Sequence, residues 1–113
     1  MTGDERVGEQ TGDFVVVWEF WVRPGAEAEF ERAYGADGTW VRLFSVDPAY
    51  GGTRLVRDVG EARRYLTFDY WETRAAYEAF RQQHADEYLE IDRDCEGLTE
   101  RETIIGQFEV TAR

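Results

Sequence analysis

A β-α-β-β-α-β chain, forming a four-stranded antiparallel sheet with helices on one face, is predicted by three features of this 113-residue sequence. The first is the run Phe14 to Val22, FVVVWEFWV, which is β-branched or aromatic almost throughout. The second is a pair of strand-like runs, Tyr50–Arg57 and Arg64–Trp71, separated by a link of hairpin length containing Gly60. The third is an apolar stripe, Tyr77, Phe80, His84, Tyr88, Ile91 and Cys95, whose steps of three and four residues are those of one helix face.

Residues 1–13, MTGDERVGEQTGD, are polar and aperiodic and are expected to be a disordered tail, leaving residues 14–113 as one domain. In the first strand Phe14, Val16, Trp18, Phe20 and Val22 share one face. Val15, Val17, Glu19 and Trp21 share the other, so both faces are apolar except at Glu19 and both ask for cover. Pro24 and Gly25 end the strand, and Ala26, Phe30, Ala33 and Tyr34 recur at helical spacing. After the break at 35–38, a short helix is expected from Thr39 as N-cap through Trp40, Leu43 and Phe44, stopping before Pro48.

Gly51 and Gly52 suggest a bulge or a close backbone approach in the second strand. In the third strand Leu66, Phe68 and Tyr70 oppose Tyr65, Thr67, Asp69 and Trp71, and the pattern leaves open which set faces the helices. Thr73 caps a helix over 74–84, and the stripe continues it to Cys95 with a break near 84–86 left open. Residues 86–102 carry eight acidic side chains, mostly off the stripe, as on a solvated face. Thr103–Thr111 is the expected last strand. The plan is ferredoxin-like. Helices can cover only one face of such a sheet, so the second apolar face of the first strand calls for a homodimer through the sheet.

Twenty-four acidic against thirteen basic side chains give a formal charge of −11, which repels phosphate backbones and anionic lipid. Nucleic acid and membrane are therefore poor partners, and no leader or membrane-spanning run is expected. One cysteine and one histidine leave disulfides and common zinc or haem ligand sets short of members, so neither metal nor cofactor is expected and a cytoplasmic setting is the default. Four Trp, six Tyr and seven Phe exceed what a minimal core needs and suit an interface or a pocket for a flat organic molecule.

The segments VRPGAEAEFERAY, PAYGGTR and YLTFDYWETRAAYEAFRQQHADEY together resemble the antibiotic biosynthesis monooxygenase domain across residues 14 to 110. That resemblance implies a dimeric α+β barrel with a cavity between sheet and helices in each subunit. It also implies cofactor-independent oxygenation of a phenolic small molecule, or a non-catalytic dimeric domain that binds a small molecule or supports a pathway partner. In phenol-oxidising members an Asn and a Trp on the third strand, a Tyr in the next helix and a later Arg surround the substrate. Thr67 takes the Asn position here, Trp71 and Tyr77 match, and Arg93 lies near the last. Haem-degrading members use a helix Trp and His where this chain has Phe80 and a histidine placed too early, so haem chemistry is not expected.

The catalytic candidates are His84, Glu19, Trp71 and Tyr77. A histidine at the place of His84 can work as a base, and Glu19 is an acid on an otherwise apolar strand, so either could take a phenol's proton. Their competing roles are a satisfied core-edge histidine and an ion pair between Glu19 and Arg54 or Arg23. Thr67, Asp69, Trp21, Trp40, Phe80 and Tyr88 are the candidate substrate contacts, with core packing the alternative for the aromatics. Cys95 reads as a small buried hydrophobe.

Overall fold

The computed structural model describes residues 10–112. The chain runs β1 (Phe14–Val22), α1 (Glu27–Tyr34), α2 (Thr39–Phe44), β2 (Tyr50–Arg57), β3 (Arg64–Trp71), α3 (Arg74–Gln83), α4 (Ala85–Cys95) and β4 (Thr99–Glu109). The strands form one antiparallel sheet in the order β2-β3-β1-β4. This is the expected α+β, ferredoxin-like arrangement, and β1, β2 and β3 have the expected limits. β4 begins at Thr99 rather than Thr103, because a 3-10 turn over Glu96–Leu98 delivers the chain straight to the sheet, where Thr99 pairs with Val22.

The helical stripe does break within the interval left open, at His84, whose φ of −113° and ψ of 31° end α3 before α4 starts. Of the tail expected to be disordered, residues 1–9 lie outside the described residues, whereas 10–13 lie against the sheet. Thr11 N–H donates to the Gly51 carbonyl at 2.9 Å, and Asp13 accepts from Val110 N–H at 2.8 Å. Gly51 makes this approach feasible, since a Cβ there would stand 1.7 Å from the Thr11 carbonyl oxygen. Gly52 sits at a register shift with φ of +106°, so the glycine pair supplies both the bulge and the close approach.

Pairing of Phe14 with Trp71, Val16 with Asp69, Trp18 with Thr67 and Phe20 with Tyr65 places all eight on the helix-covered face. There Val22, Phe30, Tyr65, Trp71 and Phe80 are almost wholly buried. The helices are joined to the sheet mainly by rings. Phe30 of α1 packs at 4.8 Å from Tyr65 and 5.2 Å from Phe20, and Phe80 of α3 at 5.0 Å from Trp71. Phe44 of α2 lies 5.6 Å from both Trp71 and Phe80. Pairs at these centroid separations add to the area they bury.

The opposite face carries Val15, Val17, Glu19, Trp21, Leu66, Phe68, Tyr70 and Phe108. No helix among the described residues covers it. Val15 and Val17 are nonetheless buried beneath their neighbours, with the Phe108 ring resting on Gly106 and itself 41 % exposed.

Phe80, a candidate substrate contact, is fully buried in the core. Phe80→Ala is expected to cost about 3–5 kcal/mol, read as a lower urea midpoint at unchanged slope. A loss below about 1 kcal/mol would show that the ring is not a core element.

Candidate functional site

Three cross-strand rows build the floor of a cavity between sheet and helices. The row Thr53–Asp69–Val16 lies beside the row Leu55–Thr67–Trp18 and the row Arg57–Tyr65–Phe20–Glu102. Each row points its side chains toward the helices because its members pair directly across the ladder. From above, α1 contributes Tyr34, α2 Trp40 and Phe44, α3 Arg81, and α4 Tyr88 and Asp92. The cavity is open to solvent on one side and has a volume of about 190 Å³, lined by six aromatic rings from Trp18, Phe20, Tyr34, Trp40, Phe44 and Tyr88. That is below the roughly 300–1,000 Å³ of pockets for drug-sized ligands.

Asp69 is the polar feature of the floor. Its Oδ1 accepts from the Thr53 hydroxyl at 2.7 Å, and the Thr53 oxygen is hydrogen-bonded to the Tyr50 hydroxyl. Thr53 has one proton and gives it to Asp69, so Tyr50 must donate to Thr53 and the chain runs Tyr50 to Thr53 to Asp69. The carboxyl is packed about by protein and meets solvent chiefly through the cavity. Desolvation pushes its pKa up to about 6, against the smaller lowering by the Thr53 hydrogen bond. Burial also raises the Tyr34, Tyr50 and Tyr88 hydroxyls, keeping them protonated donors.

Arg81 is the cation among the lining residues. Its guanidinium lies 3.9 Å from the Tyr88 ring centroid, and Nη1 donates to the Tyr77 hydroxyl at 2.9 Å. Asp92 and Glu102 line the same cavity from α4 and β4. Glu102 is exposed along its side chain, yet local crowding and then Asp92 hold its carboxyl above the ordinary range.

Of the sequence-derived candidates, the structure brings Thr67, Asp69, Trp40 and Tyr88 together in the cavity. Trp71 lies behind its wall with no exposed surface, 5.3 Å from Tyr50 and 5.7 Å from Tyr77. Tyr77 is buried at the same corner, where Arg81 reaches it. His84 stacks on Phe80 at 4.6 Å and turns Nδ1 to Glu87 at 3.2 Å, at the junction of α3 and α4 and away from the cavity. Glu19 and Trp21 are on the opposite sheet face. Glu19 pairs there with Arg64 at 2.6 Å, not with Arg54 or Arg23, because Arg64 stands beside it on the neighbouring strand. Trp21 lies under Arg101.

Sequence reasoning missed Thr53, Arg81, Asp92 and Glu102. The hairpin register carried a signal for the first: once Arg57 faces Tyr65, counting back puts Thr53 opposite Asp69. Arg81 follows Tyr77 by one helical turn, on the edge of the stripe. Asp92 was counted in the solvated acidic face, and Glu102 was left off β4. Arg93 is exposed on α4, so the cavity's arginine comes from α3 instead.

Among the described residues no group of three His, Cys, Asp or Glu side chains is placed to hold a metal ion, and no helix is long and apolar enough to cross a membrane. The family model for antibiotic biosynthesis monooxygenase matches residues 13–91. The fold is similar to that of SnoaB, a cofactor-independent oxygenase from Streptomyces nogalater, with TM-score 0.71 and 23 % identity over 91 % of this chain and 95 % of that one. It is also similar to PA3566 from Pseudomonas aeruginosa, with TM-score 0.64 and 18 % identity over 93 % and 100 %. A third neighbour is an MhuD variant with two manganese protoporphyrin IX bound per active site, with TM-score 0.69 and 21 % identity over 88 % and 96 %. No curated protein matches the sequence.

The burial of Asp69 sets a pH dependence. Its pKa rises from 3.8, the ordinary value for an aspartate side chain in water, to about 6 in the fold, so the native state holds the extra proton between those values. Stability therefore falls as pH rises from about 4 to about 6 and stays reduced above that. Asp69→Asn is expected to be more stable than the parent by about 1–3 kcal/mol at pH 7.5, at about 1.4 kcal/mol per pKa unit and less where solvent reaches the carboxyl. The gain should vanish at pH 4. Urea unfolding at both pH values checks it, and an equal difference at both would contradict the burial of the charge.

Proposed function

The chain belongs to the antibiotic biosynthesis monooxygenase family, and on that footing we propose that it oxygenates a small hydroxyarene in the cavity between sheet and helices without a cofactor. The observation that carries this reading is Asp69, a carboxylate with a pKa near 6 on the floor of an aromatic-walled cavity. It replaces His84 and Glu19 as the proposed base, since neither of those lines the cavity.

At neutral pH Asp69 is mostly ionised and free to accept a proton. Its raised pKa brings it about two units, or roughly a hundredfold, closer to a phenol than an ordinary carboxylate would be. The phenol passes its proton to Asp69 as it binds, while Thr53 and Tyr50 hold the carboxylate in place. The resulting electron-rich anion gives one electron to O₂, and the two radicals combine at the carbon para to the hydroxyl. Loss of water leaves a quinone: one oxygen atom enters the ring, the other leaves as water, and the substrate supplies all four electrons. The rings around the site exclude bulk water from that step. Thr67 lies on the floor beside Asp69, and Tyr88 with Arg81 closes the top.

Thr67 at the position where phenol-oxidising members carry an Asn favours the rival reading, a small-molecule-binding domain of the same fold with no turnover. The uncovered sheet face supports a homodimer in either case. Val15, Val17, Phe68, Tyr70 and Phe108 make that face apolar, and Ile105 and Phe108 on edge strand β4 are about half exposed.

Two measurements test this. Protein treated with chelator and incubated with naphthol- or hydroxyindole-type phenols should consume O₂ faster than buffer, with a rate rising through an apparent pKa near 6. Asp69→Asn should lose at least about 100-fold, while His84→Ala and Glu19→Gln keep the parental rate. Uptake equal to buffer with every phenol tried, amine-bearing ones included, sinks the oxygenase reading. In light scattering the protein should have twice the chain mass, and Phe68→Asp should halve it. A monomeric parent at micromolar concentration contradicts the sheet-to-sheet dimer.

A further inference from the structure

The charges around the cavity are lopsided. Asp69, Asp92 and Glu102 line it against Arg81 alone. None of the three carboxylates has an ion-pair partner among the described residues, while Arg81 is already engaged with the Tyr88 ring and the Tyr77 hydroxyl. The Glu102 carboxyl is held above its usual range, by desolvation first and by the neighbouring Asp92 charge second. The carboxylates are too dispersed to form a metal site.

The walls have the complementary property. Six rings bound the space, and the negative faces of aromatic rings attract organic cations.

We propose that the cavity takes a hydroxyarene of one or two rings bearing a protonated amine, with the ammonium group held by Asp92 and Glu102 against the aromatic walls. This deepens the oxygenase reading and rests on the same cavity. It also resolves a conflict within that reading. Ionising a neutral phenol beside two unpaired carboxylates is opposed by their field, whereas a substrate that brings its own positive charge offsets them and favours the phenolate. An acidic phenol would meet two carboxylates with its own and be excluded. The volume of about 190 Å³ sets the size, larger than the roughly 150 Å³ cavity that holds benzene.

Calorimetric titration with three matched probes, 5-hydroxytryptamine, 5-hydroxyindole and 5-hydroxyindole-3-acetate, reads the preference directly at pH 7.5 and low salt. The cation should bind at least about tenfold more tightly than the neutral probe, and the anion most weakly, with the spread shrinking as salt is added. Asp92→Asn with Glu102→Gln should erase the cation's advantage and leave the neutral probe's affinity unchanged. Equal binding of all three, tighter binding of the anion, or a preference that survives the double substitution would overturn the proposal. So would failure of all three to bind at millimolar concentration. Binding is measured without turnover, so a charge preference without O₂ uptake would retain this inference while the oxygenase reading fell.

Discussion

The pairing register between β1 and β3 is the constraint on which the rest depends. Val16 opposite Asp69 and Trp18 opposite Thr67 decide, through a two-residue pleat, that an acid and a hydroxyl face the helices. The same register sends Glu19 and Trp21 the other way. A slip of one residue would put Asp69 on the outer face and Phe68 under the helices, exchanging the cavity floor for the uncovered surface. What pins the register is the ring packing at both ends: Phe14 and Trp71 with Tyr77 at one, Phe20 and Tyr65 with Phe30 at the other. Neither end can shift without unpacking a helix.

This explains which parts of the molecule were legible in the sequence. Strand limits and element order follow from local composition, and β1, β2 and β3 were located to the residue. The assignment of faces was not local. β1 is apolar on both sides, so alternation gives no sign of which side the helices take, and the base was sought at Glu19 while Asp69 was read only as a substrate contact. Only cross-strand geometry separates them: Glu19 stands beside Arg64, and Asp69 stands beside Thr53. His84 drops out for a different reason: α3 ends there, at the break the stripe left open, and the ring stacks on Phe80 while Nδ1 turns to Glu87.

Asp69 also shows why a site need not be a point of stability. Holding a carboxylate in a desolvated position with one hydroxyl partner is a cost to the fold at neutral pH, and an amide of the same shape would not carry it. The Tyr50–Thr53 chain limits the cost without removing it, because it supplies a donor but no countercharge. Arg81 could have provided that charge and is instead committed to two tyrosines. A paired Asp69 would have a lowered pKa and be a poorer base, so leaving it unpaired keeps its pKa near 6.

The aromatic surplus in the composition has a related consequence. The wall rings are continuous with the core rings: Trp40 meets Tyr88 at 4.8 Å and Phe44 at 5.9 Å, and Phe44 in turn meets Trp71 and Phe80. Tyr34 joins Phe30 at 4.2 Å in the same way. A wall held by its own core neighbours has few rotamers left to lose when a ligand enters, so ordering opposes binding little. Shape is therefore fixed before the ligand arrives, and discrimination falls to the few polar groups that break the aromatic surface. Those groups are Asp69 and Thr67 on the floor, Arg81 above, and Asp92 with Glu102 beyond them. Their balance is negative, which is why the proposed selectivity is one of ligand charge more than of outline.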